Sequence, residues 1–119
     1  MTRRVLVIDD DARVRTALGD LLASTADLVP AASAATAAEA RAAAEHDGPF
    51  DLAVVDMRLP DPATGLALIR QLTHRVPVVA VSVSSAHRTA ALAAGARAFL
   101  DKDGHPDTLL AALRASLIR

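Results

Sequence analysis

The chain has no cysteine, tryptophan or tyrosine, and its two aromatic residues are Phe50 and Phe99. Without cysteine there is no disulfide, no thiolate nucleophile and no cysteine-type zinc site. Two aromatics cannot build a stacking platform for single-stranded nucleic acid. Charge of either sign is not in excess: 13 basic residues face 14 acidic ones, for a net charge of -1. No basic field therefore reaches out to DNA or to an anionic membrane, and direct nucleic-acid binding by this segment is not expected. The five glycines are scattered, so the phosphate-cradling loop of nucleotide-binding folds is missing. The first apolar run, Val5-Leu6-Val7-Ile8, is too short for a signal peptide or a membrane span, which predicts a cytoplasmic location. Lysine is nearly absent as well. Twelve of the cations are arginine and one is Lys102.

What is present is apolar and periodic. With 119 residues, 52% hydrophobic and 23% charged, the composition predicts one folded domain spanning residues 1–119. Five short apolar runs (Val5–Ile8, Leu28–Ala32, Leu52–Val55, Val78–Val81, Ala98–Leu100) alternate with helix-like segments. Continuous apolar strands are the kind buried on both faces of a parallel sheet. Pro30 cannot donate to a central ladder, so the second strand belongs at an edge.

The helix ends are also legible. Helix 1 is expected from about Ala12 to Ser24, with Val14, Leu18, Leu21 and Leu22 on one face. Thr36-Ala37-Ala38-Glu39 is a capping-box pattern that opens helix 2, and Gly48-Pro49 closes it. Helix 3 carries Leu66, Ile69 and Leu72. Helix 4 runs from near Ser85 to Gly95, and helix 5 has Pro106 in its first turn. The pattern is (βα)5: a doubly wound α/β fold with a five-stranded parallel sheet in the flavodoxin-like order 2-1-3-4-5.

In such sheets ligands bind beyond the carboxyl ends of the strands, where the strand order switches. Strand 1 ends in Asp9-Asp10-Asp11, strand 3 in Asp56, strand 4 in Ser82 and strand 5 in Asp101-Lys102. Each has an ordinary explanation taken singly. Asp10 or Asp11 would cap helix 1, Asp56 precedes a turn with Pro60, Ser82 is a turn or cap residue, and Lys102 is solvated. Taken together they place carboxylates, a hydroxyl and the one lysine on one rim. Unpartnered carboxylates that converge repel each other, and a divalent cation removes the conflict. Hard oxygen ligands point to Mg2+. A carboxylate beside that ion can attack a phosphoryl group and carry it as a mixed anhydride, with a lysine and a hydroxyl on the phosphoryl oxygens.

Together, Val7-Ile8-Asp9-Asp10, Asp56-Met57-Arg58-Leu59-Pro60 with Gly65, Pro77 to Ser82, and Ala94-Gly95-Ala96 followed by Phe99-Leu100-Asp101-Lys102 resemble the receiver domain of two-component response regulators, over the whole chain. The resemblance implies a phosphoacceptor at Asp56 and a Mg2+ site formed by Asp9, Asp10, Asp56 and the main-chain carbonyl of Arg58. It implies that Ser82 and Lys102 hold the phosphoryl group, and that Ser82 and Phe99 form a switch. It further implies a sensor histidine kinase as donor, an output face of helix 4, strand 5 and helix 5 that also serves a homodimer, and control of transcription through a separate output domain. Such a domain is no enzyme beyond its own phosphorylation and dephosphorylation at Asp56. The run Lys102 to Asp107 resembles the LuxR/NarL-type subgroup.

Two departures stand out: Val83 replaces a small residue after Ser82, and Asp61-Pro62-Ala63-Thr64 makes the segment after Asp56 one residue longer. Val83 is expected to narrow access to the phosphoryl group. Three alternatives stay open. Asp9-Asp10-Asp11 also fits a haloacid-dehalogenase-like phosphatase with Asp9 as nucleophile and Asp11 as acid/base. A receiver-like module that binds partners without phosphorylation is the second. The third leaves Phe99 as a plain core aromatic.

Overall fold

The computed structural model describes residues 2–117. Five parallel strands, β1 (Arg3–Ile8), β2 (Leu28–Ala34), β3 (Leu52–Asp56), β4 (Val78–Ser82) and β5 (Ala98–Asp101), form one sheet in the order β2-β1-β3-β4-β5. The helices are α1 (Ala12–Ala23), α2 (Ala37–His46), α3 (Pro62–Leu72), α4 (Arg88–Ala93) and α5 (Pro106–Ser116). This is the expected flavodoxin-like architecture. None of the described helices is long and apolar enough to cross a membrane.

The strands divide their side chains by the period of two. Leu6, Ile8, Ala53, Val55, Val78, Ala80 and Phe99 face one layer, where they meet Ala40 of α2, Leu68, Ile69 and Leu72 of α3, and Ala91 of α4. Val5, Val7, Leu52, Val54, Val79 and Val81 face the other, against Leu22 of α1 and Leu110 and Leu113 of α5. With both faces covered, every residue of β3 and β4 is buried, and the strands read as unbroken apolar runs.

Pro30 lies on the edge strand β2. Val5 pairs with Pro30 and Leu6 with Ala32, so Ala31 has no opposite residue and the ladder carries a bulge at the proline. The capping box also forms: Thr36 accepts from the Glu39 N–H (3.1 Å), and Glu39 reaches back to the N–H of Ala35 (3.0 Å).

Three expectations change in detail. β2 continues two residues further than expected, to Ala34. The inward side of α3 is formed by Leu68 with Ile69 and Leu72, while Leu66 is only partly buried. Helix 4 begins near Ser85, but as a 3-10 turn. Ser84 accepts from the Ala86 N–H (3.2 Å), which holds Ser85–His87 in a single 3-10 turn, and the α-helix begins at Arg88. The longer segment after Asp56 becomes the start of α3, with Asp61 accepting from the Thr64 N–H (2.8 Å) and Pro62 at the first helical position.

Candidate functional site

β1 and β3 lie side by side at the switch in strand order, and each delivers an aspartate at its carboxyl end. Asp9 follows β1. Its N–H still pairs with Ala34 of β2 (3.1 Å), which turns the side chain into the rim, and it is completely buried. Its Oδ1 accepts from the Asp11 N–H (2.9 Å). Asp56, the last residue of β3, is 4% exposed, and its Oδ1 accepts from the Arg58 N–H (3.1 Å). Asp10 is exposed at the mouth. One carboxylate oxygen from each of Asp9, Asp10 and Asp56 falls within 4.8 Å of the others.

Lys102 closes the cluster from just beyond β5. Its main-chain N–H donates to the Ser82 carbonyl (2.8 Å), so the ends of β4 and β5 are held together. Its ammonium stands 2.8 Å from Asp9 Oδ2 and 3.2 Å from Asp56 Oδ2. The Asp56 contact is a hydrogen bond. The Asp9 contact is ionic in distance but lies off a hydrogen-bond direction, which leaves Asp9 Oδ2 as a buried oxygen without a hydrogen-bond partner.

The electrostatics follow from burial. Loss of water raises the Asp56 pKa above its ordinary value, and the charge of Asp9 adds to the rise; the Arg58 N–H and Lys102 oppose it without cancelling it. Burial disfavours the Lys102 ammonium, but its contacts with Asp9 and Asp56 outweigh that and hold its pKa up.

These residues suit a hard divalent cation. The donors are all oxygen, two are buried carboxylates, and one oxygen has no hydrogen-bonding partner. The cleft in front of them is about 300 Å3 and is lined by Asp10, Asp56, Arg58, Val83 and Lys102. An adjoining apolar cleft of about 310 Å3, between α1 and the segment after β5, contains none of the three carboxylates.

Ser82 ends β4 and is buried, and its Oγ accepts from the Ser84 N–H (3.1 Å). Val83 is 58% exposed at the rim. Asp11 is the N-cap of α1 and accepts from the Arg13 N–H (2.9 Å). That is the ordinary cap role.

The residues 5–114 match the response regulator receiver domain. The chain belongs to this family. The receiver is 37% identical over 111 residues to the transcriptional regulatory protein UhpA of Salmonella typhimurium, covering 92% of this chain and 56% of that one. It is 37% identical over 119 residues to the transcriptional regulatory protein KdpE of Mycobacterium tuberculosis, covering 97% and 51%. It therefore spans about half the length of the curated relatives it matches. Among solved structures, a CheY-like receiver domain from Methanospirillum hungatei superimposes with a TM-score of 0.84 at 30% identity, over 98% of this chain and 94% of that one. A LuxR-family two-component response regulator from Aurantimonas superimposes with a TM-score of 0.86 at 28% identity, over 98% and 86%.

Sequence reasoning missed three features of the receiver. Gly65 of α3 packs so close to Met57 that a Cβ would collide with the Met57 carbonyl. Arg88 donates to the carbonyl of Phe99 (3.1 Å), and Arg15 to the carbonyl of Asp9 (2.8 Å). Helical periodicity carries no signal for the arginine contacts, because both reach main-chain carbonyls outside their own helix. Phe99 itself is 5% exposed and packed in the layer with α2, α3 and α4.

Proposed function

We propose that this receiver acts in the cytoplasm, accepts a phosphoryl group on Asp56 from a sensor histidine kinase and signals through its α4–β5–α5 face to a transcriptional output domain. The observation that carries the reading is the reach of one ammonium, Lys102 Nζ, to both Asp9 and Asp56 in a cleft whose third carboxylate is Asp10.

In the transfer, an oxygen of the Asp56 carboxylate attacks phosphorus. The bond from phosphorus to the donor nitrogen breaks, and the imidazole leaves with that electron pair. The product is an acyl phosphate on Asp56. Asp9, Asp10, Asp56 and the main-chain carbonyl of Arg58 would hold Mg2+, which when bound offsets charge on the phosphoryl oxygens. Lys102 pairs with one phosphoryl oxygen. The Ser82 hydroxyl, its oxygen already accepting from Ser84, donates its proton to another. New charge-assisted hydrogen bonds at Ser82 draw the end of β4 toward the phosphate, and Phe99 repacks in response. The same face serves a homodimer.

The deciding experiment is intact-mass analysis after incubation with Mg2+ and phosphoramidate. One added phosphoryl group is expected, lost on removal of Mg2+ and in Asp56→Asn. Label on Asp9 would instead establish the phosphatase-like chemistry, and no label at all a receiver that works by binding alone.

A further inference from the structure

We infer that Arg15 is a positioning residue for the acidic site: its guanidinium fixes the peptide between Asp9 and Asp10, and through it the placement of both carboxylates. The inference rests on the phosphoacceptor reading above.

The main chain makes the case. β1 pairs with β2 up to Ile8 opposite Ala34, and the Asp9 N–H still donates to the Ala34 carbonyl (3.1 Å). The Asp9 carbonyl lies beyond that last pair. α1 does not reach back to it either, because the first bond into the helix runs from the Arg15 N–H to the Asp11 carbonyl (3.1 Å). A buried carbonyl without a donor is costly. Arg15 Nη1 supplies the donor at 2.8 Å from the second turn of α1. Asp9 is then held at both ends, its carbonyl by Arg15 and its carboxylate by the Asp11 N–H (2.9 Å). Rotation of the peptide that follows Asp9 would swing Asp10 away from the cluster and slacken the Asp11 contact. Arginine suits the task because it keeps its charge and its donors at any working pH. Unlike a direct ligand, it acts only through the backbone it holds.

The test compares the receiver with Arg15→Ala and Arg15→Lys. Mg2+ half-saturation is read from amide resonances, phosphorylation by phosphoramidate from intact mass, and exchange of the Asp11 amide hydrogen without metal. In Arg15→Ala, half-saturation is expected to need about tenfold more Mg2+. The phosphorylation rate at saturating Mg2+ is expected to stay unchanged, and the Asp11 amide to exchange faster. Arg15→Lys, which keeps a donor, is expected to restore both the half-saturation and the Asp11 exchange. Wild-type half-saturation and wild-type Asp11 exchange in Arg15→Ala overturn the inference. So does tighter Mg2+ binding in that variant, which would mean that the positive charge matters and the positioning does not. An Arg15→Ala chain that fails to fold, or an Arg15→Lys chain that behaves like Arg15→Ala, overturns it too. A wild-type receiver that neither binds Mg2+ nor gains a phosphoryl group overturns the proposed function instead, and the Asp11 exchange comparison then judges Arg15 independently.

Discussion

Lys102 and Asp9 form an ion pair at 2.8 Å in which the carboxylate is completely buried and the lysine side chain is 21% exposed. The only lysine of the chain thus serves as the resident counter-charge of an acidic site. Removing it leaves Asp9 and Asp56 facing each other without compensation. Lys102→Ala is expected to lose about 3 kcal/mol of stability in Mg2+-free buffer, the usual cost of stranding a buried charge. Added Mg2+ should recover much of that loss by taking the ammonium's place. Urea melts with and without the ion measure both effects, and an unchanged midpoint without Mg2+ would contradict the arrangement.

Asp56 should destabilise the fold when ionised. Its folded pKa is raised above the ordinary 3.8, mainly by burial. The folded state therefore holds this proton more tightly than the unfolded one. Its contribution is full below the unfolded value and is lost as pH rises through the folded value. Asp56→Asn, which cannot ionise, is expected to be more stable than the parent at neutral pH without Mg2+. The gain should shrink toward pH 4. Thermal melts across pH check the sign.

Gly65 faces a harder constraint. A Cβ there would lie 2.8 Å from the Met57 carbonyl carbon and closer still to its oxygen, both rigid backbone atoms. Gly65→Ala must push α3 away from the segment that carries Arg58. A loss of about 2–3 kcal/mol is expected, with slower phosphorylation of Asp56 in whatever fraction stays folded. Denaturant melts and intact-mass time courses read the two effects.

Val83 offers the opposite case, a change that touches chemistry and spares the fold. It is exposed and lines the acidic cleft. Val83→Ala is expected to change stability by less than about 0.5 kcal/mol. Phosphoryl gain from phosphoramidate and loss to water should both become faster, by a few fold. Equal rates in the two proteins would show that the valine does not restrict the cleft.

The architecture was open to reading from one chain because its signals are local. Unbroken apolar runs mark strands covered on both faces, Pro30 marks an edge, and Thr36 with Glu39 marks a helix start. The same locality explains why the 3-10 opening of helix 4 is not legible in the sequence. Its first turn depends on whether the Ser84 hydroxyl meets the Ala86 N–H, and side-chain periodicity does not record that. Leu66 and Leu68 flank Ile69 and Leu72 on opposite sides of the helical wheel, and the neighbouring layer decides which of the two is buried.

The sequence by itself determined which residue types stand at each strand end, because strand length and chain order dictate them. It thereby placed Asp9, Asp10, Asp56, Ser82 and Lys102 on one rim. Only the tertiary structure decided how the charges share their partners. Lys102 stands nearer Asp9 than Asp56, Asp9 keeps one oxygen without a hydrogen-bond partner, and Arg15 holds the Asp9 carbonyl. The Lys102 contacts join residues far apart in the chain, and the direction of approach, not distance alone, separates the hydrogen bond to Asp56 from the ionic contact with Asp9; only the packing of the helices on the sheet sets geometry that fine.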